Sequence, residues 1–235
     1  MKKVVIVGAG SQARTAHVYL SKDSQYQVSA FAVQERYLPD ETLCGLNVVA
    51  LEQIEKTHPP DEYALFVAIG FVRLNKVRAA VFEDCMRRGY ELISYISSRA
   101  THWGEIEFGR NCFVIENTSF QPFVKVGDNV VIASGTNIGH DVVIGDHCFI
   151  GPGVVIPGGV QIGSYSLIGA NATLKNDITI GSECVIGAGA VILRDTKNGS
   201  AHIAASTKAS AISSAALALF LSGPASRAAG SGKRS

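Results

Sequence analysis

The chain has 235 residues, of which 47% are hydrophobic and 17% are charged, and its formal net charge is +1. This composition is typical of a soluble globular protein with one large domain or two small ones. A charge so close to neutral argues against a nucleic-acid binder, which needs a strongly basic surface. The apolar run at 215–223 falls short of the ~20 residues of a membrane span. We therefore expect no membrane span, and the N-terminal residues lack the pattern of a signal peptide.

Residues 1–100 alternate strand-like and helix-like segments. The strand-like segments are KKVVIVG, YQVSAFAV, YALFVAIG and YELISYI, and the helix-like ones are SQARTAHVYLSKD and VRLNKVRAAVFEDCMRRG. Such alternation is typical of βαβ units around a mostly parallel sheet. The sequence therefore predicts a small Rossmann-like α/β domain over residues 1–100.

A glycine-rich turn, GAGSQA, follows the first predicted strand and opens the first predicted helix. Its Gly8 and Gly10 let backbone N–H groups approach a phosphate or carboxylate at the helix N-terminus. A motif of this kind is weak by itself, and a tight turn without a ligand is the alternative. A dinucleotide site is a further alternative, because Gln34 and Glu35 end the second strand where a ribose-binding acid would lie. A domain of about 100 residues is, however, only half of a full dinucleotide-binding fold.

From Ile106 the period changes to six and continues to Asp195 without insertion. All fifteen hexads carry an apolar third residue, and nine carry glycine at the fourth. A six-residue period predicts a parallel β-helix of triangular section, with three hexads to a coil and about five coils over 106–195. The third residue would fill the interior, while the fourth and fifth turn the corner, where glycine tolerates positive φ. Residues 196–235 would form a C-terminal segment with a short helix and a disordered tail.

The five cysteines are an odd number without CxxC spacing. Cys112, Cys148 and Cys184 occupy equivalent repeat positions that point inward, so they are expected to be small core residues. This usage favours reduced thiols and a cytoplasmic location.

Hexads of the form apolar-x-[IV]-G-x-x resemble those of the left-handed β-helix acyltransferases of the hexapeptide-repeat superfamily. The pairing of VIVGAGSQA and FVAIG with this repeat is similar to the branch that contains sialic acid O-acetyltransferase and N-acetyltransferases of nucleotide-linked 4-amino sugars. The resemblance implies a homotrimer, acyl-CoA bound between neighbouring β-helices, and an acceptor sugar nucleotide held partly by the N-terminal domain. It also implies a catalytic histidine followed by an acidic residue, which here matches His140 and Asp141.

Acyl transfer from a thioester needs a base, an oxyanion donor and two substrates held together. His140 is the fifth residue of its hexad and should project outward from a corner, where an imidazole can act as base near neutral pH. Asp141 could orient the ring. Gly158, eighteen residues on, lies one coil away, so its N–H is the expected oxyanion donor. An acyl-CoA would follow the same corner past Asn176, Arg194 and Lys175.

The acceptor-binding residues expected from the glycine turn and from the His140 hexad are Gly8, Gly10, Ser11, Gln12 and Asn137. Two departures from the family pattern affect the acceptor. Relatives usually carry GGH at residues 10–12 of this chain, and they often have a second histidine at the place of Phe149. His147 therefore does not take over that second role, and a structural or subunit-interface role is expected for it.

The sequence thus predicts an acyl-CoA-dependent N-acyltransferase, with acetyl-CoA as the default donor, acting on a nucleotide-linked amino sugar for surface polysaccharide biosynthesis. A sugar O-acetyltransferase uses the same base chemistry and is the nearest alternative. A non-catalytic β-helix scaffold is the alternative of another class, in which His140 would be an exposed polar corner residue. His140, Asp141, Asp146 and His147 fall on two corners, so no metal site is expected.

Overall fold

A computed structural model describes residues 2–38, 42–104 and 106–221. The chain divides into two compact units, residues 1–204 and 205–235. The described part of the second unit contains one helix, α4 (Ser214–Leu221). The tail predicted to be disordered, residues 224–235, lies outside the described residues. Among the helices that the structure describes, none is both long and apolar enough to cross a membrane.

The first unit begins with a four-stranded parallel sheet in the order β3-β2-β1-β4. Its apolar strands are buried on both faces, against α1 on one side and α3 on the other. This confirms the predicted Rossmann-like arrangement. The elements are β1 (Lys2–Val7), α1 (Ser11–Lys22), β2 (Tyr26–Val33), a 3-10 turn (Glu35–Tyr37), β3 (Val48–Ala50), a 3-10 turn (Leu51–Gln53), α2 (Ile54–Thr57), β4 (Tyr63–Val67) and α3 (Lys76–Arg87).

The strand predicted over YELISYI does not extend this sheet. Only Leu92 bridges to Leu65 of β4. Tyr95 and Ile96 instead pair with residues 113–114 and begin the β-helix. The fourth strand of the sheet is β3, whose three residues are too few to show a period in the sequence.

The second part of this unit is a left-handed parallel β-helix, as predicted. Paired strands are eighteen residues apart, except that the last step, from Val185–Ile186 to Ala201–His202, is sixteen. Three sheets therefore form the faces of a triangle. The seven-stranded sheet contains β5 (Tyr95–Ile96), β8 (Phe113–Val114), β11 (Val131–Ile132), β14 (Phe149–Ile150), β17 (Leu167–Ile168), β20 (Val185–Ile186) and β22 (Ala201–His202). The six-stranded sheet contains β6 (Thr101–His102), β9 (Ser119–Phe120), β12 (Asn137–Ile138), β15 (Val155–Ile156), β18 (Thr173–Leu174) and β21 (Val191–Ile192). The five-stranded sheet contains β7 (Glu107–Phe108), β10 (Lys125–Val126), β13 (Val143–Ile144), β16 (Gln161–Ile162) and β19 (Thr179–Ile180).

The stack is longer than the predicted repeat, because β5, β6 and β22 lie outside residues 106–195. The sequence does not predict the extra coil before Ile106, because the third position of its hexad, which is apolar in the repeat, is occupied by an exposed histidine, His102. Fourteen of the fifteen predicted third-position residues are buried, and Phe108 is partly buried. Cys112, Cys148 and Cys184 are also fully buried, which confirms their predicted inward orientation.

The backbone at the corners differs from the prediction that the fourth-position glycines have positive φ. Positive φ occurs at the sixth position of the hexad, at every one from Asn111 to Gly189, and not at the fourth. The fourth-position glycines are needed for space instead. A Cβ built on them would lie within 3.0 Å of the next coil in eight cases of nine, and at Gly187 the distance is 3.2 Å. The stacked corners therefore pack too closely for a side chain at that position.

The N-terminal sheet is joined to the β-helix by a buried polar network. Arg78 of α3 is fully buried and donates to the backbone oxygens of Asn129 and Cys148, both at 3.1 Å. Asn111 accepts from the Val67 N–H at 2.7 Å and donates to the Val67 carbonyl at 3.0 Å. Burial lowers the pKa of Arg78 to about 10. These contacts hold α3 and β4 against the corner between the five- and seven-stranded sheets, which we term the domain corner (residues 110–111, 128–129, 146–147, 164–165 and 182–183).

Candidate active site

His140 lies on the corner between the six- and five-stranded sheets. We term this the His140 corner (residues 122–123, 140–141, 158–159, 176–177 and 194–195). The His140 side chain is 59% exposed, and its Nδ1 lies 2.8 Å from Oδ2 of Asp141. A carboxylate only accepts hydrogen bonds, so a neutral ring in this contact carries its proton on Nδ1. Nε2 is then left unprotonated and directed away from Asp141, as a general base requires.

The backbone around this pair is held by the preceding coil. Gln121 Oε1 accepts a 3.0 Å hydrogen bond from the His140 N–H, and the Asp141 N–H donates to the Pro122 carbonyl at 3.2 Å. Asp141 has a φ of 57°, a conformation that aspartate tolerates better than most residues. Gln121 is not among the site residues predicted from the sequence. A sequence feature does mark it: Gln121 stands at the fourth hexad position, where glycine is usual, one coil before the histidine.

The His140 ring covers Gly158, one coil further on. A Cβ built on Gly158 would lie 2.6 Å from Nε2 and 2.7 Å from Cε1, so a larger residue at 158 would push the imidazole out of this position. The neighbouring Gly159 N–H donates to the His140 carbonyl at 2.9 Å. Within the described part of the chain, the Gly158 N–H has no hydrogen-bond acceptor. The structure thus brings His140, Asp141 and Gly158 together, beside an N–H group that is free to bind a ligand oxygen.

The remaining residues expected near the donor lie along the same corner. Asn176 and Arg194 follow Gly158 at steps of one coil, and both are exposed, as is Lys175. Asn137 lies on β12 and is engaged along the sheet, where its Oδ1 accepts from Ser119 Oγ at 2.9 Å. The structure records no hydrogen bond from Asn137 to the His140 side chain.

A second candidate site is a cleft of about 750 Å³ at the carboxyl ends of β1 and β4. In the order β3-β2-β1-β4 these strands flank the point where the chain reverses direction across the sheet, where ligands of open α/β sheets bind. Gly8, with φ +129°, approaches Ala68 so closely that a Cβ would lie 2.7 Å from its carbonyl oxygen. Gly10 precedes α1, and a Cβ there would meet nothing within 4 Å. Space therefore exists beside the N–H groups that open α1.

All four glycine-turn residues expected to bind the acceptor, Gly8, Gly10, Ser11 and Gln12, line this cleft. Most residues of the opposite wall are not predicted from the sequence, because no short motif marks them. One part of that wall is an aromatic and basic pair, since the Arg36 guanidinium lies 4.8 Å from the Tyr37 ring centre and donates to Gln34 Oε1 at 2.8 Å. The other part comes from the segment before α3 and its first residue: Phe71, Val72, Arg73 and Lys76.

The two candidate sites belong to different corners of one chain. The cleft adjoins the domain corner, because Lys76 pairs with Glu183 at 2.6 Å and Phe71 contacts the Phe149 ring. The five-stranded sheet separates the domain corner from the His140 corner, so His140 is one hexad away from the domain corner. At about 3.3 Å per residue, a hexad spans roughly 15–20 Å.

His147 has a structural environment and does not contribute to the His140 corner. It is 6% exposed, its Nδ1 lies 3.0 Å from the Asn129 amide nitrogen, and its ring packs against Phe82 and Tyr165. Burial lowers the pKa of His147. Over the residues that the structure covers, no group of three or more histidine, cysteine or carboxylate side chains could hold a metal ion.

Residues 124–158, 141–176 and 159–194 match the bacterial transferase hexapeptide family (six repeats). No curated protein matches the chain. Among solved structures, a histidine-to-asparagine mutant of perosamine N-acetyltransferase from Caulobacter crescentus, in complex with CoA and GDP-perosamine, has 25% identity and a TM-score of 0.78. The match covers 87% of this chain and 94% of that one.

Two further structures share the fold at 23% identity. The acetyltransferase domain of PglB from Neisseria gonorrhoeae FA1090 has a TM-score of 0.75, with 87% of this chain and 97% of that one covered. WeeI from Acinetobacter baumannii AYE has a TM-score of 0.74, with 86% and 96% covered.

These findings confirm the class that the hexads predict. The protein is an acyltransferase whose residues 124–194 carry the repeats of the bacterial transferase hexapeptide family. Within that class, its α/β domain followed by a β-helix is the architecture of the sugar N-acetyltransferases, to which it is similar over most of its length.

Proposed function

We propose that the protein transfers an acetyl group from acetyl-CoA to the amino group of a nucleotide-linked sugar, by direct transfer with His140 as general base. One observation carries the proposal: the His140 imidazole, with Asp141 on Nδ1, lies over Gly158, whose N–H is unpaired in the described structure. The similarity to structures containing CoA with GDP-perosamine, or acetyl-CoA, supports the two substrate classes.

In this mechanism Nε2 of His140 accepts a proton from the sugar amine as the amine nitrogen bonds to the thioester carbon. The Gly158 N–H donates to the thioester oxygen, where negative charge develops. Asp141 holds the ring and stabilises its protonated form. As the carbon–sulfur bond breaks, His140 returns the proton to the sulfur, so the products are an amide and free CoA. No metal takes part in any of these steps.

The donor would extend from Gly158 along the His140 corner. Asn176 and Arg194 repeat the position of Gly158 at steps of one coil and are exposed to a ligand lying parallel to the axis. Arg194 and Lys175 supply the positive charge that CoA phosphates need. Asn137 would contact the acceptor from the neighbouring strand.

The acceptor nucleotide would occupy the cleft at Gly8, Gly10, Ser11 and Gln12. The start of α1 favours phosphate there, because its first N–H groups have no partner within the helix. The separation of the cleft from His140 supports a homotrimer, in which the cleft of one chain faces the His140 corner of the next. The reaction fits polysaccharide biosynthesis in the cytoplasm, where acetyl-CoA and nucleotide sugars are available.

The experiment is acyl transfer from acetyl-CoA to a panel of amino and hydroxyl nucleotide sugars, followed by release of the CoA thiol. We expect turnover with an amino sugar and its loss in His140→Ala. Turnover only with hydroxyl acceptors would refute N-acyl transfer and show that the protein is a sugar O-acetyltransferase. Full activity of His140→Ala would refute the general-base role, and absence of CoA binding would favour a non-catalytic scaffold.

A further inference from the structure

Phe123 is an exposed aromatic residue in an unfavourable backbone conformation. Its side chain is 72% exposed and its φ is 68°. Bulky residues seldom adopt positive φ, and this corner position is held elsewhere by residues that tolerate it: Asp141, Gly159 and Asp177. Phe123 makes no aromatic contact within the described chain. The fold imposes this φ on every sixth residue of the repeat. A small or polar residue at 123 would avoid both the strain and the exposed apolar surface, so the aromatic side chain itself needs an explanation.

The register places Phe123 one coil before the catalytic pair. Asn137 pairs with Ser119, and the Asp141 N–H donates to the carbonyl of Pro122, the residue preceding Phe123. Phe123 and Asp141 therefore occupy the same position on successive coils, about 4.8 Å apart along the axis. Another aromatic residue, Trp103, is 76% exposed and lies one coil before Gln121, just ahead of this corner.

The residues of the His140 corner therefore differ on the two sides of His140 along the axis. On the C-terminal side lie Gly158 and then Asn176, where the proposed function puts the thioester and the CoA arm. On the N-terminal side lie Pro122 and Phe123. A nucleophile must sit between the base and the thioester carbon, so the acceptor has to approach from the side that the donor leaves free.

We infer that Phe123 is a specificity-determining residue that packs against the sugar ring of the acceptor on the N-terminal side of His140. An aromatic face offers a large apolar surface to the C–H groups on one face of a pyranose, while the polar groups of the sugar remain free for hydrogen bonds. The inference rests on the proposed function, because it takes the direction of the donor from that mechanism.

The test compares Phe123→Asn with Phe123→Trp in steady-state kinetics, using the amino sugar nucleotide that the wild type acetylates. Asparagine suits the positive φ, so Phe123→Asn should fold with an unchanged or raised melting temperature. We expect its KM for the acceptor to rise about tenfold, the effect of losing a well-packed apolar contact. Its KM for acetyl-CoA should stay at the wild-type value. Phe123→Trp should keep a near-normal acceptor KM.

Val18→Asn is the control, because Val18 is an exposed apolar residue of α1 outside the lining of the cleft. An unchanged acceptor KM in Phe123→Asn, or an effect on the acetyl-CoA KM alone, would overturn the inference. Loss of the wild-type oligomer, measured by light scattering, would assign Phe123 to a contact between copies and overturn it too. If the wild type acetylates no acceptor, the proposed function itself is refuted. That result differs from one in which the wild type is active and Phe123→Asn has the same acceptor KM.

Discussion

The imidazole of His140 lies directly over the backbone of Gly158, the residue eighteen positions later in the chain. This contact joins a proposed base to an N–H group that has no acceptor in the described structure. It also ties the position of the ring to the residue at 158, because a Cβ there would occupy the space of the imidazole and displace it.

Gly158→Ala should therefore damage catalysis by displacing the imidazole, although the alanine retains its N–H. We expect kcat/KM to fall about 100-fold, comparable to the removal of one oxyanion donor. The steric conflict is absent once the ring is removed. In a double-mutant cycle, Gly158→Ala should cause little further loss in the His140→Ala background. Additive losses would show that the two residues act independently.

Asp141→Asn should keep the corner backbone, since asparagine accepts positive φ, and remove the charge that orients His140. We expect kcat to fall about 10- to 100-fold. This is less than the roughly 10⁴-fold cost of a buried triad aspartate, because Asp141 is 61% exposed. Asp177→Asn is the matched control, as Asp177 has the same corner position and a φ of 60°. Equal losses in both variants would point to a general effect on the corner.

Gly10→Asp should abolish binding of the nucleotide acceptor, because it puts a carboxylate beside the N–H groups proposed to receive phosphate. The variant should fold, since a Cβ at Gly10 meets nothing within 4 Å. Calorimetry should show loss of nucleotide-sugar binding with acetyl-CoA binding retained. Gly10→Asn has nearly the same shape without the charge and should bind far better than Gly10→Asp. Equal binding by both variants would exclude phosphate at this position.

The stability of the protein should decrease as the pH falls below about 6.5, the ordinary pKa of histidine. Burial lowers the pKa of His147 and of His58, so the unfolded chain binds more protons than the folded one in this range. Melting temperature measured against pH should show the decrease. His147→Asn should make it smaller, because asparagine fits the φ of 60° and does not titrate. An unchanged pH dependence in His147→Asn would assign the effect to other groups.

Arg78→Met should destabilise the first unit by about 3 kcal/mol or more, because it leaves backbone carbonyls of Asn129 and Cys148 without their donor in a buried site. Methionine retains most of the volume of the arginine side chain, so the decrease in the free energy of unfolding measures the loss of the polar contacts. Chemical denaturation should measure it. Arg87→Met, at an exposed arginine of the same helix, should change stability little. Similar effects in both variants would contradict a special role for the buried guanidinium.

Several features were predictable because they follow from periodicity alone. A period of six that holds from Ile106 to Asp195 fits a triangular β-helix and neither a helix nor a flat strand. The same period assigns His140 and Gly158 to one corner, since they differ by one coil of eighteen residues. The buried positions of Cys112 and Cys148 follow from it as well.

Other features depended on contacts that no period encodes. Gln121 reaches the His140 N–H through its side-chain conformation. The coil at Tyr95 and Thr101 joined the stack by strand pairing although His102 interrupts its apolar pattern. The reason for the fourth-position glycines also emerged only from the distances between stacked corners.

By itself, the sequence determined the β-helix, its inward positions and the relation of His140 to Asp141 and Gly158, because a regular repeat converts residue number directly into position. Only the tertiary structure decided that the cleft and His140 lie on different corners. That result depends on where α3 docks, through Arg78 and the carbonyls of Asn129 and Cys148. Docking of this kind is set by the complementary shape and hydrogen bonding of two surfaces distant in the sequence, and no local pattern specifies it.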